Sequence, residues 1–119
     1  MKILFDHCVD RNLRKRLPAH HVRTAREMGW DQLRNGNLLA AAEGAGFDIL
    51  LTVDKGFRHQ QNLAGLMISV ALLRGKNNKF VTLSALIPAF DALVPAFQPG
   101  QLYEIPAPPP PAPLPPPTP

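Results

Sequence analysis

Two short apolar segments of this chain each end in an aspartate: Ile3-Leu4-Phe5-Asp6 and Ile49-Leu50-Leu51-Thr52-Val53-Asp54. A near-continuous apolar run is how a buried parallel strand reads. An acid directly after it is carried to the carboxyl edge of the sheet. Neighbouring strands lie about 4.8 Å apart, so Asp6 and Asp54 can share one divalent cation if their strands adjoin. Open α/β sheets bind ligands at that edge. Two carboxylates and a hydrated Mg²⁺ or Mn²⁺ lower the pKa of a bound water and stabilise charge developing on a phosphoryl oxygen. The chemistry expected is hydrolysis of a phosphodiester. Two carboxylates leave most ligand positions to water, and Glu27, Asp31 and Glu43 are the further acids to consider.

Such a substrate is a polyanion, and the charge distribution suits one. The net charge is +4, with Arg11, Arg14, Lys15, Arg16, Arg23, Arg26 and Arg34 in the first third. No acid separates Asp54 from Asp91, a span that holds Lys55, Arg58, Arg74, Lys76 and Lys79. Basic groups next to a small acidic site neutralise phosphates while the acids hold metal. Lys55 and Arg74 follow strand ends closely enough to reach phosphate oxygens, and Lys76 shares the loop after Arg74.

The elements that must position these groups alternate between period two and period 3.6. Lys2 to Phe5 reads as a strand, and Asp10 can cap a helix to about Leu17 that ends before Pro18. His21 to Thr24 reads as a second strand. A helix capped by Asn35 or Asn37 packs Leu38, Leu39, Ala41 and Ala42 inward and stops at Gly44 and Gly46. Phe47 to Val53 is the clearest strand, and Leu66 to Leu73 a further buried one. Residues 58 to 62 read as loop. A last helix starts at Thr82 or Ser84, with Pro88 and Pro95 breaking its regularity. Leu102 to Ile105 forms an edge strand. This order predicts a three-layer α/β/α domain with a mostly parallel central sheet.

Together these residues carry a resemblance. Asp6 to Leu13 (Asp-His-Cys-Val-Asp-Arg-Asn-Leu), Glu27 to Trp30, Asn35 to Leu39, Leu51 to Lys55, Gln60 to Leu63 and Leu73 to Asn78 are similar, in order and spacing, to the DUF5615 group of PIN-like proteins. The resemblance spans nearly all of residues 1 to 105. It implies a PIN-like fold, a metal-dependent ribonuclease site acting on RNA, and the role of toxin in a toxin-antitoxin pair, with a cognate antitoxin protein as partner. It places Asp6 and Asp54 on the catalytic metal, Asn37 at a third metal position, and Gln61 and Asn78 beside Lys55, Arg74 and Lys76 in RNA binding. Toxin-like folds of this size also pair as homodimers. The chain departs from the family where Asp6-His7 replaces Asp-Glu and where Asn35-Gly36-Asn37 replaces Asn-Gly-Glu. Asn37 supplies no charge, and alternation along the strand aims His7 at the face opposite Asp6.

Each residue has a plainer role to set against these. Asp54 can close a turn, Asp6 or Asn37 can cap a helix, Cys8 can fill apolar space and Trp30 can plug the core. Two other functions stand beside the ribonuclease: a catalytically impaired PIN-like module that binds RNA or an antitoxin, and a receiver-like phosphoacceptor. A receiver wants an acidic pair after the first strand and a lysine before a proline after the last core strand, and Asp6-His7 and Leu73-Arg74 do not match.

Hydrophobic residues make up 45% of the 119, enough for one core over residues 1 to 105. No run approaches the roughly 20 apolar residues of a membrane span, no leader is expected, and the lone Cys8 suits a reducing cytoplasm. Ten of the 14 prolines fall between Pro106 and Pro119, so 106 to 119 reads as a proline-rich disordered tail.

Overall fold

A computed structural model describes residues 1–56, 63 and 65–106. Gln61, the loop expected over 58 to 62 and nearly all of the proline-rich tail lie outside the described residues, so the readings made on them stand as expectations.

Five strands form one sheet in which every pairing is parallel: β1 (Lys2–Phe5), β2 (His21–Thr24), β3 (Ile49–Thr52), β4 (Ser69–Leu73) and β5 (Leu102–Ile105), in the order β2-β1-β3-β4-β5. The register places Ile3 opposite Ile49, Leu4 opposite Leu50 and Phe5 opposite Leu51. Side chains alternate across a strand, so this register sorts the core into two layers. Ile3, Phe5, Ile49, Leu51, Ala71 and Leu73 face one side, where they meet Leu13, Leu17, Leu83, Ile87 and Phe90. Leu4, Leu50 and Val70 face the other and meet Leu38, Leu39 and Ala42. The three-layer α/β/α expectation is met. Among the described residues no helix is long and apolar enough to cross a membrane.

The helical connections differ in detail from the sequence expectation. Asp10 caps as anticipated, its Oδ1 accepting the Asn12 N–H at 2.8 Å, but residues Arg11–Arg16 form a 3₁₀ helix. Six residues ending ahead of a proline offer little length for an α-helix to propagate. Helix α1 (Asn35–Gly44) starts after Arg34 with no side-chain cap, and Asn35 has φ of 43°. Neither Asn35 nor Asn37 is thus the cap. The last helix is two, α2 (Phe80–Ser84) and α3 (Ile87–Leu93), followed by a 3₁₀ turn at Val94–Ala96. Pro88 and Pro95 open the last two segments, where a missing N–H costs nothing. Strand β4 begins at Ser69, and Met67 before it is 73% exposed.

Sheet order matters for function because the chain leaves β1 toward β2 and then crosses back to β3. In an open parallel sheet, this reversal opens a crevice beyond the carboxyl ends of the two central strands. Asp6 and Asp54 follow those two strands. The same order serves many chemistries, so the side chains at the edge decide the function.

Candidate functional site at the carboxyl edge

Asp6 continues the ladder one residue past β1, its N–H donating to Leu51 O at 2.9 Å. The side chain is 8% exposed. Its Oδ2 accepts the Thr52 hydroxyl at 2.7 Å and its Oδ1 accepts the His7 N–H at 2.7 Å. Asp54, half-buried, closes a short turn by accepting the Gly56 N–H at 2.8 Å through Oδ1. Its own N–H donates to Thr52 Oγ1 at 3.0 Å. The fully buried Thr52 hydroxyl therefore joins the Asp6 carboxylate to the backbone of Asp54. Among the described residues, neither carboxylate has a cationic partner.

The Cys8 thiol, two residues after Asp6, feels both carboxylates. Burial pushes its pKa up, and Asp6 and then Asp54 push it further, against a lowering by Arg34. Both carboxylates thus act on one point beside the end of β1. Cys8 itself is exposed, which corrects the expectation that it fills apolar space.

His7 is a second correction. Its Nε2 lies 2.8 Å from Leu33 O and 3.1 Å from Arg34 Nη1, at the entrance to α1. Leu33 packs on the α1 side of the sheet, with Leu4 and Leu50. Alternation stops applying at Phe5, where β1 ends, so His7 turns back to the α1 side. Arg34 is held there by donating to Asp31 O at 2.6 Å and Leu33 O at 3.0 Å.

Beside Asp6, an open cleft of about 800 Å³ runs toward the end of β2, with Arg11, Arg14, Arg26, Glu27 and Asp31 in its walls. Glu27 is fully engaged. Arg14 grips it twice, at 2.8 and 3.2 Å. Thr24 N–H donates to Glu27 Oε1 at 2.9 Å while Glu27 N–H donates to Thr24 Oγ1 at 3.1 Å, the reciprocal pattern of a capping box. The Arg14 hydrogen bond, followed by that from Thr24, holds the Glu27 carboxyl below its usual range. Glu43 accepts the Met67 N–H at 2.6 Å, away from this edge on α1's last turn. Of the three further acids, Asp31 presents an exposed carboxylate to the cleft, with no ion pair among the described residues.

The remaining residues singled out in the sequence are spread along the same edge. Lys55 is exposed in the turn after Asp54. Arg74 follows β4 half-buried, its N–H on Ile105 O at 2.7 Å and its Nε without a hydrogen-bond partner among the described residues. Lys76 and Asn78 are exposed in the loop beyond it, and Asn37 is exposed in the first turn of α1. The close packing of that loop turns on Gly75, where a Cβ would meet Asn77 O and Thr82 Cγ2 at 2.8 Å. Trp30 is half-buried and packs edge-on against Phe47 at 6.2 Å, a core contact as its plainer reading had it.

Among the described residues no group of three or more His, Cys, Asp or Glu side chains is placed to hold a metal. A closed cage of protein ligands is therefore not formed by them. The pair Asp6 and Asp54 does suit a hard cation that keeps most of its waters, as Mg²⁺ does when held by one or two carboxylates and a substrate phosphate. Asp54 Oδ2 has no hydrogen-bond partner among the described residues and is available to such an ion.

Sequence reading missed Thr52 and the β2 flank. Thr52 carries a legible signal, since it is the one hydroxyl residue in the second run and stands two before Asp54 on the same alternation. The gathering of Arg11 and Arg26 around Asp6 carries none, because it depends on β2 lying beside β1. No protein-family model matches the chain, and neither a curated protein nor a solved structure matches it.

Proposed function

We propose that this chain is a metal-dependent ribonuclease of the PIN-like type, hydrolysing RNA phosphodiester bonds at the Asp6–Asp54 edge. The observation that supports it is a buried carboxylate: Asp6 is 8% exposed and, among the described residues, is held by the Thr52 hydroxyl and the His7 N–H with no ion-pair partner. Burying a carboxyl group costs free energy unless it is hydrogen-bonded, and the Thr52 hydroxyl and the His7 N–H meet that need here. A second carboxylate follows the adjacent strand, at the reversal of sheet order where α/β folds bind ligands.

Asp6 and Asp54 would hold Mg²⁺ or Mn²⁺, which when bound activates water and offsets charge developing on the phosphoryl group. Thr52 fixes the Asp6 rotamer through its hydroxyl and shields one carboxylate oxygen from water. The Gly56 N–H orients Asp54 by holding Oδ1, which leaves Oδ2 outward. Lys55, Arg74 and Lys76, with Asn78, supply donors for phosphates on the β3–β4 side. The role of toxin, with a cognate antitoxin protein and homodimer formation, completes this reading on the strength of the resemblance.

A second reading is favoured by one observation, the lack of a third acid gathered with Asp6 and Asp54 among the described residues. In that reading the chain is a catalytically impaired module that binds RNA or an antitoxin. A receiver-like function finds less support, since His7 stands where a second acid is wanted after β1 and Arg74-Gly75 follows β4 in place of a lysine before a proline. Incubation of purified protein with mixed RNA and Mn²⁺, alongside Asp54→Asn and Asn37→Glu variants, separates the readings. Cleavage by the natural chain that disappears in Asp54→Asn supports the ribonuclease. Cleavage appearing only in Asn37→Glu supports the impaired module.

A further inference from the structure

We infer that Arg11 and Arg26 form a phosphate track which carries the RNA strand across the β1–β2 side of the site, through the cleft beside Asp6. This inference rests on the ribonuclease reading and adds the path of its substrate. Sequence reasoning expects the phosphate contacts on the opposite flank, at Lys55, Arg74 and Lys76.

Two separate elements deliver the arginines. Arg11 opens the 3₁₀ helix after β1, and Arg26 sits in the turn after β2. Both are exposed, both line the cleft that also holds Asp6, and neither makes an ion pair among the described residues. Arg14, the third arginine of the cleft, is already engaged by Glu27. Its bond neutralises Glu27, another acid in the lining of the cleft. Asp6 is the buried acid of the lining and Asp31 the remaining exposed one. A guanidinium presents a planar fork of donors that matches phosphate oxygens, and two of them in one cleft with Asp6 suit successive phosphates of one strand. The cleft's volume, about 800 Å³, lies within the roughly 300 to 1,000 Å³ of sites that enclose small ligands.

The test uses the Asp54→Asn chain, so that bound RNA is not cut, and a labelled single-stranded RNA of about 12 nucleotides. Fluorescence anisotropy is read across a salt series for this parent, for Arg11→Ala/Arg26→Ala in it, and for a charge-matched Lys15→Ala/Lys79→Ala control. Loss of two phosphate contacts should lower the slope of log affinity against log salt by about 1.4. Affinity should fall at least tenfold, with the control changed less than threefold. An arginine double variant that binds as tightly as the parent overturns the track while leaving the ribonuclease reading intact. Equal weakening in the control also overturns it, since charge alone would then explain binding. A parent that binds no RNA overturns both together. Circular dichroism on each variant separates lost binding from lost fold.

Discussion

Strand β3 has an aspartate near each end, and the two are treated in opposite ways. Asp48, at the amino end, is exposed, and its Oδ2 accepts the Lys2 N–H at 2.8 Å. Lys2 lies close by, with its Nζ on Ala45 O at 2.8 Å and 4.5 Å from the Phe47 ring. Asp48 thus splices β1 to β3 and stays hydrated. Asp54, at the carboxyl end, follows the strand beside Asp6 and has no ion-pair partner among the described residues. Asp48 is wet, whereas Asp6 is buried on two hydrogen bonds and has no ion-pair partner among the described residues, with the half-buried Asp54 on the next strand. That difference is what the proposed function rests on.

The largest expected effect is on catalysis. Asp54→Asn or Asp6→Asn should reduce RNA cleavage at least about 100-fold, in line with loss of a principal electrostatic group, while Asp48→Asn should stay within about twofold. Gel analysis of a labelled RNA with Mn²⁺ makes the comparison, and equal losses at both ends of β3 would break it.

Next in size is the support beneath the site. Thr52→Val keeps the shape of a fully buried side chain but removes the donor to Asp6, leaving a carboxylate oxygen buried and unsatisfied. Denaturant unfolding should show a loss of about 1 to 3 kcal/mol. Gly75→Ala forces a methyl against a backbone oxygen and should cost a similar ~1 to 3 kcal/mol, read from the same transition. A Thr52→Val protein as stable as the natural chain would mean that Asp6 is not held as described.

Smaller, but more direct, is the thiol beside the carboxylates. Because Asp6 and Asp54 disfavour the Cys8 thiolate, Asp54→Asn should lower the thiol pKa and speed alkylation by iodoacetamide a few-fold at fixed pH. Asp48→Asn should leave the rate unchanged. A metal chelator is present in both assays, so the rates report the carboxylates alone.

The smallest effect concerns Glu27, whose pKa is lowered in the fold from an ordinary 4.5. A depressed carboxyl pKa gives stability that is complete above the unfolded value and is lost as pH falls through the folded one. The natural chain should therefore exceed Glu27→Gln slightly near neutrality and lose that margin below about pH 4.5. The pair is well exposed, so the margin is a few tenths of a kcal/mol. Thermal melts at two pH values read it.

Much of this was legible before any tertiary structure. Continuous apolar runs revealed β1, β3 and β4, because strands covered on both faces lack the alternation of half-exposed ones. Proline positions marked the breaks in the last helical region, since a missing N–H limits where a helix can continue. The 3₁₀ character of residues 11–16 was less visible, as a short leucine pair fits either helix. His7 was misread because alternation holds only while the chain stays in the ladder.

By itself, then, the sequence determined that two carboxylates follow two buried strands and that the domain is a layered α/β fold, since both are consequences of local order along the chain. Tertiary structure alone decided that those strands adjoin, that Thr52 bonds Asp6, and that Arg11 and Arg26 share a cleft with it. Those contacts join residues distant in sequence, and strand order and register, set by packing of the two core layers, bring them together.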